Sequence, residues 1–227
     1  MTPAFKKNNY MVIKKAIDPK IAEFAMNYLM MKRQVARTMF DEKFISPFTT
    51  EFGVWNDQQA PETYSHYADM VMETMLLKVL PIMEKETGLK LIPTYSYTRI
   101  YKNGDILKRH KDRFSCEIST TMNLGGDKWP IYIEPNPKKG GDTDDGYKSD
   151  YTDGVKVDLK PGDMLVYRGN ICEHWRDKFT GKDCAQVFLH YNNAATKGAK
   201  KNMFDGRPHI GLPSWWQDKV DHTNTEF

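Results

Sequence analysis

Two histidines and an aspartate are the residues of this chain whose types and spacing point most directly to chemistry. His110 and Asp112 flank Lys111, and His174 stands farther along. On an extended strand the side chains at i and i+2 point the same way, so His110 and Asp112 can face inward while Lys111 faces out. Two imidazoles and one carboxylate on one face of an ion leave three coordination positions open. That ligand set suits a non-haem Fe(II) centre, which needs room for O2 beside its protein ligands. A His-x-acid triplet arises readily by chance, so its weight depends on the elements around it.

Those elements begin with a short strand expected over residues 10–17. Asp18 and Pro19 then supply an N-cap and a first-turn proline. Ile21, Phe24, Ala25, Tyr28 and Leu29 follow at helical spacing and predict a helix over 19–39. After an irregular stretch, Pro61-Glu62 reads as a second helix start. Tyr67, Met70, Val71 and Leu77 then share a face, and the helix runs toward Thr87-Gly88 with a kink at Pro81. From Leu91 the pattern turns to strands, over 91–101, 116–124, 129–134, 155–159, 164–168, 172–176 and 185–191, punctuated by turns such as Asn103-Gly104-Asp105. Short strands after two leading helices predict a mainly β fold with flanking helices. The expected architecture is a double-stranded β-helix, or jelly roll, with the two N-terminal helices packed on its major sheet. We expect a single domain over 1–227, with a helical support region (1–89), a jelly-roll core (90–195) and a C-terminal extension (196–227). The polar stretch 135–154, rich in Gly, Lys and Asp, reads either as an exposed hairpin or as a substrate lid.

Composition narrows the function classes. With 40% hydrophobic residues the chain can fill a core, and a net charge of +3 without a clustered basic face argues against nucleic acid as a partner. The run from Lys197 to Lys201 reads as a solvated turn. Cys116, Cys172 and Cys184 form no CxxC pair, which fits a reducing compartment. No apolar run approaches the ~20 residues of a membrane span. No apolar segment follows Lys6 and Lys7, so no signal peptide is read. The expectation is a cytoplasmic enzyme without membrane contact.

The run Tyr101-x-x-Gly104-x-x-Leu107-x-x-His110-x-Asp112 resembles the Tyr-x-x-Gly-x-x-Tyr-x-x-His-x-Asp segment of the prolyl 4-hydroxylase-like 2-oxoglutarate/Fe(II) oxygenases. Pro161-Gly162-Asp163-Met164-Leu165 is similar to the turn that precedes the distal histidine in that family, and His174 stands where that ligand belongs. The resemblance spans about 91–191. It implies a jelly roll with the metal between its sheets, held by His110, Asp112 and His174 as metal-binding and catalytic residues. It implies Fe(II), 2-oxoglutarate as cosubstrate, O2, and ascorbate as an accessory reductant. The implied reaction hydroxylates a C–H bond and releases succinate and CO2, and the implied substrate is a peptidyl proline. Tyr101 would donate a hydrogen bond to 2-oxoglutarate.

This chain departs from the family pattern in the turn, where Pro161 stands next to the glycine instead of three residues before it, and in two further places. Leu107 replaces the second tyrosine, and Cys184 occupies the position of the expected cation, about ten residues after the distal histidine. The partner for the far carboxylate of 2-oxoglutarate then falls to Arg176, which shares the inward face of His174 and offers a two-pronged guanidinium. Lys182 ranks second and Arg99 third.

Other residues carry weaker expectations. His190 lies on the last strand and can point into the barrel mouth. Arg113 and Glu117 can pair, Cys172 is expected to pack as an apolar residue, and Trp215-Trp216 reads as a cap on the core or, alternatively, as a grip on the substrate. Thr121, Asn123 and Trp129 are pocket candidates. A nucleic-acid demethylase of the AlkB type would carry Arg-x-Asn-x-Thr-x-Arg where this chain has Cys184-x-Gln186-x-Phe188-x-His190, and fits poorly. A non-enzymatic jelly-roll module of the cupin or lectin kind would need a degenerate metal face. Between a peptide or protein substrate, another amino acid and a small metabolite the sequence does not choose, nor does it set an oligomeric state.

Overall fold

A short helix, α1 (Pro3–Asn8), and strand β1 (Tyr10–Ile13) precede α2 (Pro19–Asp41). The computed structural model describes residues 1–217. Asp18 caps α2, its carboxylate accepting the Lys20 N–H at 2.8 Å.

The Pro61-Glu62 signal does not open a helix. Residues Tyr64–Tyr67 form strand β2 instead, and the second long helix, α3 (Met70–Thr87), starts after Asp69. Asp69 accepts the N–H groups of Val71 and Met72 at 3.0 and 3.1 Å. It is also held by Tyr28 Oη at 2.7 Å and Lys32 Nζ at 2.5 Å. A buried carboxylate with four donors defines a helix start more firmly than an exposed proline. Gly88 closes α3 in the left-handed conformation, at φ +67°, that a C-terminal cap requires.

The strands that follow are β3 (Leu91–Lys102), β4 (Leu107–His110), β5 (Ile118–Gly126), β6 (Ile131–Glu134), β7 (Gly141–Thr143), β8 (Gly146–Lys148), β9 (Val155–Val157), β10 (Met164–Tyr167), β11 (Glu173–Arg176) and β12 (Asp183–Asn193). They form a large sheet in the order β1-β10-β5-β12-β3-β2, a smaller one in the order β4-β11-β6-β9, and the hairpin β7-β8. The two N-terminal strands occupy both edges of the large sheet. The region expected to be helical support therefore completes the sheet as well as covering it. The polar stretch 135–154 carries the exposed hairpin, tied down by Tyr147 Oη on Glu173 (3.0 Å) and by Lys111 Nζ on the Gly140 carbonyl (2.7 Å).

Alternation gives the large sheet two different faces. On one, Met122 and Leu124 of β5, Val166 of β10 and Val187 and Leu189 of β12 pack against Ala25 and Leu29 of α2 and Leu76 and Val79 of α3. On the other, Leu165 and Tyr167 of β10 meet Ile131 and Ile133 of β6, so the two sheets face each other as expected of a jelly roll. Register carries that inner face across the sheet. Leu165 pairs with Thr121, Thr121 with Phe188, and Phe188 with Tyr97; Tyr167 pairs with Ser119, and Ser119 with His190. Much of this inner surface is polar or aromatic. Buried polar groups are unfavourable unless each finds a partner, so this end of the sandwich holds something other than an aliphatic core. Among the described residues no helix is long and apolar enough to cross a membrane.

Candidate metal centre

Strands β4 and β11 pair antiparallel with His110 directly opposite His174, which brings the two ring centroids to 4.2 Å. Asp112 does not continue the strand as the i, i+2 argument expects; β4 ends at His110. The Asp112 N–H instead donates to the Gly169 carbonyl at 2.9 Å. Gly169 has to be glycine for this approach, because a Cβ there would run into Asp112 Oδ2, the Cys116 carbonyl and Ser119 Oγ. The turn before β11 therefore sets the carboxylate, while strand pairing sets the histidines. Asp112 Oδ1 lies 3.6 Å from His110 Nε2 and 3.5 Å from His174 Nε2. The three ligand atoms fall within 4.8 Å of one another.

Backbone carbonyls fix both tautomers. His110 Nδ1 is 2.7 Å from the Lys108 oxygen, and His174 Nδ1 is 3.0 Å from the Cys172 oxygen. A carbonyl only accepts, so each Nδ1 carries the proton and each Nε2 turns a lone pair toward the centre. This is the orientation a metal-binding histidine requires. Burial, and then the neighbouring His174, push the His110 imidazole down to about 4. Burial opposes the charge on Asp112, yet His174 and His110 hold its carboxyl well below the usual range. His174 is also penalised by burial, but Asp112 outweighs that and raises it. A divalent cation at this point would satisfy the same carboxylate and displace the proton. The donor set fits a metal with open coordination positions.

A cavity of about 270 Å³ opens onto the triad, walled by Tyr95, Tyr97, Arg99, Tyr167, Phe188 and His190. Arg99 is already neutralised: its Nε and Nη2 reach Asp57 at 2.7 and 2.6 Å, and Nη2 reaches Gln59 at 2.7 Å. Its Nη1 donates to Tyr101 Oη at 3.1 Å, which leaves the Tyr101 proton for another acceptor. Arg176 is different. It is 1% exposed, donates to the Trp129 carbonyl and to Thr121 Oγ1 (3.3 Å), and its Nε has no partner. No carboxylate pairs with it among the described residues, and burial pushes its guanidinium down. An uncompensated buried charge is strongly unfavourable, so this position is suited to a group that arrives with its own negative charge. Lys182 does not reach the site. It is exposed just before β12, with its backbone N–H held by Asp127 at 2.6 Å.

Several other expected residues take different roles. Arg113 pairs with Asp205 through both Nη atoms (2.7 and 2.6 Å) rather than with Glu117. Glu117 instead receives the Asn193 N–H and the Thr196 hydroxyl. Asn123 donates away from the cavity, to the Leu159 carbonyl, while Thr121 lies beside Arg176 and Gln186. Cys172 is buried among apolar residues as expected. His190 stands in the cavity wall with its Nδ1 on Ser119 Oγ at 3.0 Å. Ser119 was not singled out from the sequence, although stepping back by two from Asn123 and Thr121 along β5 reaches it. Asp57 and Asp205 lie in irregular segments where no periodicity points to them.

Neither a family model nor a curated protein sequence matches this chain. Solved structures do. A prolyl-4-hydroxylase from Pseudomonas putida aligns over 84% of this chain and 96% of its own, with a TM-score of 0.53 and 12% identity. SnoN, a non-haem α-ketoglutarate-dependent epimerase from nogalamycin biosynthesis, aligns over 84% and 80% with a TM-score of 0.59 and 13% identity. HygX from Streptomyces hygroscopicus, solved with nickel and 2-oxoglutarate bound, aligns over 86% and 88% with a TM-score of 0.53 and 14% identity. The chain shares the jelly-roll fold of the 2-oxoglutarate-dependent oxygenases.

Proposed function

We propose that this protein is a 2-oxoglutarate- and Fe(II)-dependent dioxygenase that hydroxylates a C–H bond. The observation that carries the reading is the convergence of His110 Nε2, His174 Nε2 and Asp112 Oδ1 at the mouth of the interior cavity. Bound there, Fe(II) with 2-oxoglutarate and O2 supplies an oxidative decarboxylation to succinate and CO2, with one oxygen atom delivered to the substrate carbon. The chain's own share is placement. Three protein ligands leave room for a two-atom chelate and O2. Arg176 offers the buried cation for the far carboxylate. It lies two residues beyond His174, a strand advance of about 6.6 Å, and a five-carbon diacid is of comparable length. Tyr101, whose hydroxyl is held by Arg99 of the cavity wall, has a proton to donate, and Tyr95, Tyr97, Tyr167 and Phe188 give the cavity an aromatic lining.

Within that class we propose a prolyl 4-hydroxylase-like activity. The motif order from Tyr101 to His174 supports it, as does the likeness to the bacterial prolyl-4-hydroxylase structure. A cavity of about 270 Å³ that must also admit the cosubstrate leaves space for one side chain or a small metabolite, so hydroxylation of another amino acid or a small metabolite is the second reading. The test is Fe(II)-dependent conversion of 2-oxoglutarate to succinate, run with wild type and His174→Ala. The wild type should turn over slowly alone and faster with a proline-containing peptide, which gains one oxygen by mass. His174→Ala should lose turnover by more than the about 10- to 100-fold that removing a mere hydrogen-bond partner of a metal ligand costs. Equal rates in the two proteins would overturn the oxygenase reading. Turnover stimulated by a small amino acid but by no peptide would overturn the prolyl one.

A further inference from the structure

Ser119 faces three partners with one proton. Its Oγ lies 3.0 Å from Asp112 Oδ2, 2.8 Å from the Cys116 carbonyl oxygen and 3.0 Å from His190 Nδ1. The carboxylate and the carbonyl can only accept. Were His190 Nδ1 an acceptor too, two of these three buried contacts would set lone pair against lone pair. With the proton on Nδ1, only one does. His190 therefore donates to Ser119, and Ser119 donates its own proton to the better acceptor, the charged Asp112 oxygen. The result is a directed chain from His190 N–H through Ser119 O–H to Asp112 Oδ2.

The other Asp112 oxygen, Oδ1, is the one that faces both histidines, at 3.6 and 3.5 Å. Carboxylates bind metals through one oxygen or through two. We propose that Ser119 and His190 are positioning residues that hold Asp112 as a one-oxygen ligand and so keep three coordination positions of the metal open. The proposal rests on the iron reading above and deepens it. Neither residue is a ligand of the triad; both act through Asp112. The His190 ring is itself held by Tyr95, at 4.5 Å between centroids, and Tyr95 by Tyr67 at 4.9 Å, so the donor cannot swing away. Gly169 closes the remaining side of the carboxylate, since any Cβ there would displace both Oδ2 and Ser119 Oγ.

Co(II) alone is the first probe, titrated into wild type, Ser119→Ala, His190→Leu and His190→Gln after their folds are checked by circular dichroism and thermal melting. Ser119→Ala and His190→Leu should bind Co(II) about 10- to 100-fold more weakly. His190→Gln keeps an N–H donor for Ser119 and should recover most of that loss, which a purely structural role for the ring would not predict. If Ser119→Ala fails to fold, the Leu and Gln variants at 190 decide the matter by themselves. The second readout is the visible charge-transfer absorption of the anaerobic Fe(II)–2-oxoglutarate complex. It should weaken in Ser119→Ala, where a two-oxygen Asp112 takes a position that the chelate needs. Unchanged Co(II) affinity and full absorption in Ser119→Ala and His190→Leu would overturn the proposal, and equal weakening by Leu and Gln would remove His190 from it. An absence of the absorption in wild type would instead overturn the 2-oxoglutarate reading, with the Co(II) series still deciding how Asp112 is held.

Discussion

Arg99 and Arg176 are both buried arginines on the inner face, and they differ in who answers their charge. Asp57 sits 2.6 Å from Arg99, whereas Arg176 has a carbonyl, a hydroxyl and one unpaired N–H. A buried charge that no carboxylate of the described residues answers is the stronger candidate for a ligand-binding role. Replacing Arg176 by Met should leave the metal-free protein as stable as wild type or more so, because a desolvated charge is removed and the volume is largely kept. The same change should weaken 2-oxoglutarate binding by two to three orders of magnitude, the usual consequence of deleting one partner of a buried charge pair, about 2–5 kcal/mol. Chemical unfolding and 2-oxoglutarate titration of one protein preparation check both halves. A marked loss of stability with unchanged affinity would return the role to Arg99. The place of Arg176 on the inner face was legible in the sequence because strand alternation links it to His174. Lys182 was misplaced for a related reason: distance along the chain from His174 carries no information about which end of β12 dips inside. Asp112 was found by a spacing argument, although the turn at Gly169 rather than an extended strand is what places it.

At the scale of elements, a fully buried ion pair ties the segment after β12 to α3, in addition to the Arg113–Asp205 pair described above. Arg207, fully buried, reaches Glu73 of α3 at 3.0 and 3.3 Å and the Thr94 carbonyl of β3 at 3.0 Å. Glu73 also receives the backbone N–H of Ser96 at 3.0 Å and that of Gly211. Truncating Glu73 to Ala leaves the guanidinium buried without a counter-ion, so a destabilisation of about 3–5 kcal/mol is expected. For a domain of this size that lowers the melting temperature by roughly 10 °C. The double change Glu73→Met with Arg207→Leu should restore much of the loss, since it leaves no charge stranded. Differential scanning calorimetry of the three proteins tests this; a double variant no better than Glu73→Ala would sink the argument. None of the clamp was visible in the sequence, where Glu73 sits one position from the apolar stripe of α3 and its partner lies far along the chain. The same limit explains β2. Tyr64–Tyr67 alternates weakly over four residues, and only its pairing with β3 makes it a strand rather than the first turn of a helix. A long element such as α2 was readable because its apolar residues recur at helical spacing, and β3 because aromatic and β-branched residues dominate twelve successive positions.

The whole molecule carries its acid sensitivity in buried neutral histidines. Burial pushes His190 down to about 4, with Arg113 adding to that and Asp112 opposing it. His66 shifts in the same direction, again by burial first, with Lys32 adding to that and Asp69 opposing it. In the unfolded chain an imidazole titrates near ~6.5. Between those values the unfolded chain holds a proton that the folded one refuses, so falling pH favours unfolding. The contribution of a depressed group is complete above its unfolded value and is lost as pH drops through the folded one, which for His190 is the interval from about 6.5 to about 4. Asp205 follows the same sign lower down. Burial raises its carboxyl, Arg113 outweighs that and lowers it, and its contribution disappears only below the ordinary carboxylate range of about 3.9. The metal-free protein should therefore show a histidine limb before the carboxylate one. His190→Gln cannot take up the proton, and should flatten the upper limb by on the order of 2–3 kcal/mol, whereas Asp205→Asn should keep that limb, deepening it slightly because the Asp205 charge favours the His190 proton, and alter the lower one. Urea unfolding at fixed ionic strength from pH 7.5 down to about 2 separates the two limbs. A wild-type profile flat between about 6.5 and 4.5, or a His190→Gln profile as steep as wild type, would mean that His190 titrates normally and is not the buried neutral donor that Ser119 requires.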